Sequence, residues 1–136
     1  MNDRDDTKKK ISGAAEPKRR TSLKLSEIAD LLKCEVIVEG RGLEAEVTDI
    51  VASDGMSEVL AGTKSGELMI TGLTNIQSIR TADISDACAV IYCRGRRPVE
   101  TVLQLARNQQ MPVLTTHLNM FDICGILYNA GLRGVT

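Results

Sequence analysis

The chain is poor in aromatic residues. Among its 136 residues there are two tyrosines and one phenylalanine, and there is no tryptophan. Proteins that hold single-stranded nucleic acid usually stack its bases on aromatic rings. Tyr92, Phe121 and Tyr128 are too few for such a surface, and two of them lie inside apolar elements. The composition therefore argues against binding of RNA or single-stranded DNA.

Motifs for metals and for phosphate loops are also missing. The four cysteines (Cys34, Cys88, Cys93 and Cys124) include no CxxC pair, and His117 is the only histidine, so a structural zinc site is not expected. Neither GxxxxGK[ST] nor GxGxxG occurs. We expect no metal and no other cofactor, and we interpret the cysteines as buried core thiols.

Long apolar runs are absent, and charge is unevenly distributed. No run approaches the roughly 20 residues that cross a bilayer, and the N-terminus lacks the apolar segment of a secretory signal. Residues 1–22 hold seven Lys or Arg and four Asp or Glu, whereas the remainder holds ten basic and fourteen acidic residues. An acidic body argues against a duplex-DNA binder. We predict a cytoplasmic protein with a flexible charged tail (1–22) and one domain (23–136).

Three strand-then-helix units follow one another between Gly66 and Leu132. Each unit begins with a short apolar run, at 67–71, 89–93 and 112–116, and continues into a segment with helical character. This alternation indicates a mostly parallel sheet with helices on both faces, which is an α/β three-layer sandwich.

The remaining elements are predicted from local signals. Before the three units we expect a short helix capped by Ser26, a strand at 34–38 and a second strand from about 46 to 52. An antiparallel or irregular arrangement of residues 34–52 stays open. In the middle unit, Pro98 suits the first helical position.

Small polar and cationic residues follow the three strands, where ligands of parallel sheets bind. Asn75 or Thr74 can cap the helix after the first of these strands, and Asn119 can cap the last helix. Free N–H groups at such helix starts attract anions, and arginines can clamp a phosphate or carboxylate. The predicted ligand-binding residues are Thr74, Asn75, Arg94, Gly95, Arg96, Thr116, His117 and Asn119. The alternative is that the capping residues only terminate helices and the arginines form a solvated rim. Gly72 and Gly95 serve either tight turns with positive φ or close approach of a ligand.

A catalytic set is not recognisable. Nucleophilic catalysis needs a base beside the nucleophile, and Cys93 and His117 are the pair of strand-end residues that could meet. Asp49 and Asp54 flank a strand end, but the other carboxylates fall on helix faces and loops. We expect a protein without enzymatic activity, with a small Cys93- or His117-dependent enzyme as the rival.

The last predicted helix is apolar on nearly every side. Between Met120 and Leu132 the clearly polar side chains are Asp122 and Asn129. A helix of this kind must be buried on two sides. We therefore predict a homodimer, with one side of the helix on the sheet and the other against a second copy. The predicted interface residues are Met120, Ile123, Leu127 and Ala130.

Three segments resemble the DRTGG domain family: Lys24-Leu-Ser-Glu-Ile-Ala, Ile70-Thr-Gly-Leu-Thr-Asn75 and Pro112-Val-Leu-Thr-Thr-His-Leu-Asn-Met-Phe121. The resemblance extends over nearly all of residues 23–132. It implies a small α/β fold like that of MurF and of the N-terminal domain of HPr kinase/phosphorylase. Because members occur alone, beside nucleotide-sensing CBS pairs or within phosphotransacetylase-like proteins, it also implies a regulatory or ligand-sensing module.

This chain departs from the motif that names the family. Asp-Arg falls on Thr74-Asn75, and Thr-Gly-Gly falls on Cys93-Arg94-Gly95, so that only Gly95 is retained. Because the replacements are polar or cationic, we expect a changed ligand rather than a lost site.

Our leading hypothesis is a non-catalytic, dimeric regulatory module that binds an anionic small molecule such as a nucleotide. The alternative is a protein-interaction adaptor, without a small-molecule ligand, for a kinase or for a redox or hydrogenase-associated partner. The second partner is suggested by stand-alone family members, which tend to accompany iron-only hydrogenase.

Overall fold

The computed structural model describes residues 22–62 and 65–135. The predicted tail (1–22) lies outside the described residues except for Ser22. The strands are β1 (Leu23–Lys24), β2 (Glu35–Val38), β3 (Glu46–Val47), β4 (Asp49–Ala52), β5 (Leu68–Thr71), β6 (Ala89–Tyr92), β7 (Val113–Thr115) and β8 (Arg133–Gly134). The helices are α1 (Leu25–Leu31), α2 (Met56–Gly62), α3 (Ile76–Ile84), α4 (Glu100–Asn108) and α5 (Met120–Asn129).

Six strands form one sheet in the order β2-β7-β6-β5-β4-β8. The pairs β7-β6, β6-β5, β5-β4 and β4-β8 are parallel, and β2 pairs antiparallel with β7 at the edge. Strands β1 and β3 form a separate antiparallel pair. The predicted mostly parallel sheet, built from three consecutive strand-helix units, is confirmed.

Helices cover both faces of the sheet. Leu68 and Ile70 of β5 pack in one core with residues of α1 and α5. Met69, which lies between them, packs in the opposite core with residues of α2, α3 and α4. Since successive strand residues point to opposite faces, a strand buried on both sides must be apolar throughout. The arrangement is the predicted three-layer sandwich.

The predicted strand at 46–52 is two strands. Residues 46–47 pair with β1, whereas residues 49–52 pair with β5 and β8, and Thr48 separates them. The prediction of one continuous strand was wrong because the two halves have partners in different sheets.

Two helix starts also differ from the prediction. Helix α1 begins at Leu25, and the backbone N–H of Lys24 donates to Glu27 Oε1 over 3.0 Å. Ser26 therefore lies inside the helix and does not cap it. Helix α4 begins at Glu100, so Pro98 precedes the helix rather than opening it.

Two of the four residues predicted for a dimer interface on α5 are fully buried within the chain, and the other two are half-buried. Ile123 and Leu127 are 0% exposed and belong to the core shared with α1, and Met120 and Ala130 pack against the same core. This side of the helix is therefore the side that packs inside the protein. The outward side carries Phe121, which is 84% exposed, and Tyr128, which is 41% exposed.

Among residues 22–62 and 65–135, none of the helices combines the length and the apolar character that are needed to cross a bilayer.

Candidate functional site

The loops that follow β5, β6 and β7 begin at the same level of the sheet. Thr71 at the end of β5 pairs with Tyr92 of β6, and Tyr92 pairs with Thr115 of β7. The predicted ligand-binding residues all lie in these three loops or at the helix starts that follow them. We call the region outside the carboxyl ends of β4, β5, β6 and β7 the crevice.

The loop after β6, residues 94–97, contains three arginines and is called the arginine loop. Arg94 and Gly95 adopt left-handed backbone conformations, with φ of 61° and 67°. The N–H of Arg94 donates to Leu118 O over 2.8 Å, and the N–H of Gly95 donates to Thr116 O over 2.7 Å. The Thr115 hydroxyl donates to Arg96 O over 2.7 Å. The arginine loop is therefore fixed to the segment that follows β7.

Asp54, which follows β4, also lies in the crevice. Its Oδ1 accepts hydrogen bonds from the Gly72 N–H (2.7 Å) and the Thr71 hydroxyl (2.9 Å). Arg96 Nη1 donates to the carbonyl of the same glycine over 3.0 Å. The hydrogen bond from the Gly72 N–H lowers the pKa of Asp54 most strongly, and the Thr71 hydroxyl and the positive charges of Arg96 and Arg94 lower it further. The carboxylate is ionised at neutral pH.

Asp54 was not among the residues that sequence reasoning placed in the site. The feature of the sequence that could have identified Asp54 is its position directly after a predicted strand. Because β4 was not recognised as a fourth parallel strand beside β5, the end of that strand was not counted as part of the crevice.

A second part of the crevice lies beside His117. A Cβ added to Gly95 would stand 2.9 Å from His117 Nδ1, so the imidazole rests against this glycine. A cleft of about 220 Å³ opens here. It is lined by Lys33, Cys34, Glu35, Gly95, Arg97, Thr115, Thr116 and His117. At its rim the exposed Arg97 and Glu35 form an ion pair of 2.7 Å.

Thr116 holds the structure of this region together. Its buried hydroxyl donates to Leu32 O over 2.7 Å and accepts from the Leu118 N–H over 3.3 Å. The prediction placed this side chain against a ligand, whereas the structure uses it to join the end of α1 to the loop after β7.

The two predicted asparagine caps differ. Asn119 Oδ1 accepts from the Asp122 N–H over 2.9 Å, which confirms it as the N-cap of α5. Asn75 occupies the N-cap position of α3, but its side chain makes no capping hydrogen bond. The Asn75 side chain is exposed, and Thr74 precedes it at half-buried depth in the loop that starts with Gly72.

The geometry does not assemble a catalytic pair. Cys93 is 4% exposed and packs in the core shared with α1 and α5, whereas His117 is exposed against Gly95. No hydrogen bond joins them in the part of the chain that the structure describes. Burial raises the pKa of the Cys34 thiol to about 11 and that of Cys88 to about 12, so both stay protonated at neutral pH. The described residues also contain no group of three or more His, Cys, Asp or Glu that could hold a metal ion.

The sequence profile of the DRTGG domain family matches residues 27–130, which is more than half of the chain. The protein therefore belongs to the DRTGG domain family. No protein of curated function shows significant sequence similarity to it.

One similar solved structure contains the CBS and DRTGG domains of the regulatory region of Clostridium perfringens pyrophosphatase, in complex with the activator diadenosine tetraphosphate. Its sequence is 17% identical, and the TM-score is 0.62. The match covers 80% of this chain and 47% of that one, so this chain spans about half the length of its structural neighbour. At this level of identity the likeness shows the fold.

Proposed function

We propose that the protein is a non-catalytic regulatory module that binds an anionic small molecule, such as a nucleotide, in the crevice. The observation that carries this proposal is the pair of exposed arginines, Arg94 and Arg96, on a rigidly held loop at the carboxyl end of the central strand β6. Arg96 uses one of its N–H groups on the Gly72 carbonyl. A guanidinium has five such donors, so Arg96 retains donors for a phosphate or carboxylate.

The surroundings of the arginine loop favour the same kind of ligand. Helix α3 starts at the end of the neighbouring strand, and the first N–H groups of a helix attract negative charge. The related regulatory region from Clostridium perfringens is in complex with a nucleotide activator, which supports a nucleotide as the first ligand to try.

The test is a titration of ADP by isothermal calorimetry into the wild-type chain and into Arg94→Ala, Arg96→Ala and Asn75→Ala variants. Each arginine variant is expected to lose about 1–3 kcal/mol of binding free energy, as for hydrogen bonds to charged groups. The matched control is Arg107→Ala, which removes the same charge from an exposed ion pair with Glu100 on α4. Unchanged affinity in both crevice arginine variants would rule out this site.

We infer that the module acts as a homodimer through the outward side of α5, in place of the buried side. Phe121 is exposed there, and a Cβ added to Gly125 would meet no atom within 4 Å. A glycine inside a helix costs about 1 kcal/mol of stability relative to alanine. No neighbouring atom in the described residues would clash with a side chain at position 125, so packing within the chain does not require a glycine there. A second copy of the chain whose backbone packs closely against Gly125 would require a glycine at this position.

A protein-interaction adaptor is the second candidate, favoured by the exposure of Phe121 beside a groove lined by Leu118, Gly125 and Ile126. In that case a kinase or redox enzyme would cover this side of α5. Pull-down of such a partner should survive Arg94→Ala and Arg96→Ala but fail with Phe121→Asp.

We place the module in the cytoplasm, because all four cysteines are free thiols and disulfides belong to oxidising compartments.

A further inference from the structure

The Asp54 carboxylate accepts two hydrogen bonds from the end of β5, in the crevice. The Gly72 N–H and the Thr71 hydroxyl sit at the end of β5, and both donate to Asp54 Oδ1. Thr71 and Gly72 are buried whereas Asp54 is exposed, so a ligand that entered the crevice would meet the carboxylate and not these donors. The protein's own negative charge therefore stands within its proposed anion site.

The other carboxylate oxygen is available to a ligand. Asp54 is exposed, and its Oδ2 accepts no hydrogen bond from the residues that the structure describes. The carboxylate and the Arg96 guanidinium flank the same glycine: a Cβ on Gly72 would lie 3.6 Å from Asp54 Oδ1 and 3.6 Å from Arg96 Nη1. The crevice thus presents an anionic acceptor beside a cationic donor.

We propose that Asp54 determines the selectivity of the crevice, so that it prefers phosphorylated ligands that also carry free hydroxyl groups over bare polyanions. This inference rests on the proposed function. A sugar hydroxyl can donate to the ionised carboxylate in a charge-assisted hydrogen bond while the phosphate meets the arginines. A bare polyanion has no donor to offer and is repelled by the carboxylate. A site built to bond a hydroxyl group also discriminates strongly against an analogue that lacks it.

The test compares three probes by calorimetry on the full chain: ADP, 2′,3′-dideoxy-ADP and inorganic pyrophosphate. The wild-type protein should bind ADP about tenfold more tightly than the dideoxy analogue, as for loss of one hydrogen bond to a charged group. In Asp54→Asn, which keeps an oxygen for the Gly72 N–H, that ratio should fall to about twofold. Pyrophosphate should bind Asp54→Asn more tightly than wild type. The control is Asp83→Asn, which removes the same charge from an exposed position near the end of α3.

The outcomes separate this inference from the proposed function. If the wild-type protein binds ADP, and both the ADP-to-dideoxy-ADP affinity ratio and the pyrophosphate affinity stay the same in Asp54→Asn, Asp54 does not set selectivity and only this inference fails. If the wild-type protein binds none of the three probes, the proposed function fails with it. Circular dichroism checks the fold of Asp54→Asn, and if that variant is unfolded, Asp54→Ser provides the same comparison.

Discussion

Gly95 is the residue on which the shape of the arginine loop most directly depends. Its φ of 67° lies in the left-handed region, which is unfavourable for residues with a Cβ. The space that a Cβ would take is already filled by the imidazole of His117, at 2.9 Å from Nδ1. A side chain at this position would therefore be unfavourable for two reasons: the positive φ of the backbone and the steric clash with His117.

Gly95→Ala is expected to lower the free energy of unfolding by about 1–3 kcal/mol, measured by urea denaturation. Part of that loss comes from the contact with His117 and should disappear in a His117→Ala background, where only the backbone cost remains. The same loss in both backgrounds would show that the imidazole moves aside without cost.

The sequence predicted a role for this glycine but left two roles open. Gly95 does adopt the positive φ of a tight turn, whereas Gly72 does not. Gly72 is packed between the Cys93 sulfur and the side chains of Arg96 and Asp54. Sequence alone could not separate the two cases, because the difference depends on neighbours contributed by other strands.

Among the helices, α3 and α5 begin with the same residue type in the same backbone conformation. Asn75 has φ −76° and ψ 172°, and Asn119 has φ −82° and ψ 167°. Only the Asn119 side chain bonds to its helix. Both positions carry an asparagine before a helix, so the residue type alone could not predict which side chain would accept a capping hydrogen bond.

Asn119→Ala should reduce the free energy of unfolding by about 1 kcal/mol, because it removes a capping acceptor from the start of α5. Asn75→Ala is the natural control and should change stability by only a few tenths of a kcal/mol, since it removes no capping bond. Thermal or urea denaturation of both variants gives the comparison. Equal losses would mean that Asn75 also caps its helix in solution.

The elements were predictable where a strand is buried on both faces. The runs that became β5, β6 and β7 are apolar because they lie in the middle of the sheet. Prediction failed at the periphery, where β1, β3 and β8 are two residues long and carry no recognisable pattern. It also missed Asp54, since its place in the crevice follows from the pairing of β4 with β5.

At the scale of the whole molecule, the two sides of α5 have different tasks. Ile123 and Leu127 complete the core under the sheet, and Phe121 lies on the outer surface of the same helix. The helix is apolar on nearly every side because one side packs in the core, while the other side exposes apolar residues on the surface. The sequence analysis predicted burial on two sides of this helix and assigned Ile123 and Leu127 to the second copy, whereas the structure packs both in the core.

Phe121→Asp should convert the proposed dimer to a monomer in sedimentation runs at micromolar concentration. It should change the unfolding free energy of the dilute protein by no more than about 0.5 kcal/mol, as for a surface position. Ile123→Ala should instead cost about 2–5 kcal/mol of stability through the cavity it leaves in the core. A monomeric wild-type protein would contradict the proposed dimer.

The backbone hydrogen bonds that fix the arginine loop have a consequence for assembly. The N–H of Arg94 donates to Leu118 O and that of Gly95 to Thr116 O, and α5 begins two residues after Leu118. A molecule that shifts the loop would pull on the start of the helix that carries Phe121. By thermodynamic reciprocity, whatever factor ligand binding applies to self-association, self-association applies to ligand affinity. These two hydrogen bonds thus connect the proposed ligand site to the helix that carries the proposed dimer surface.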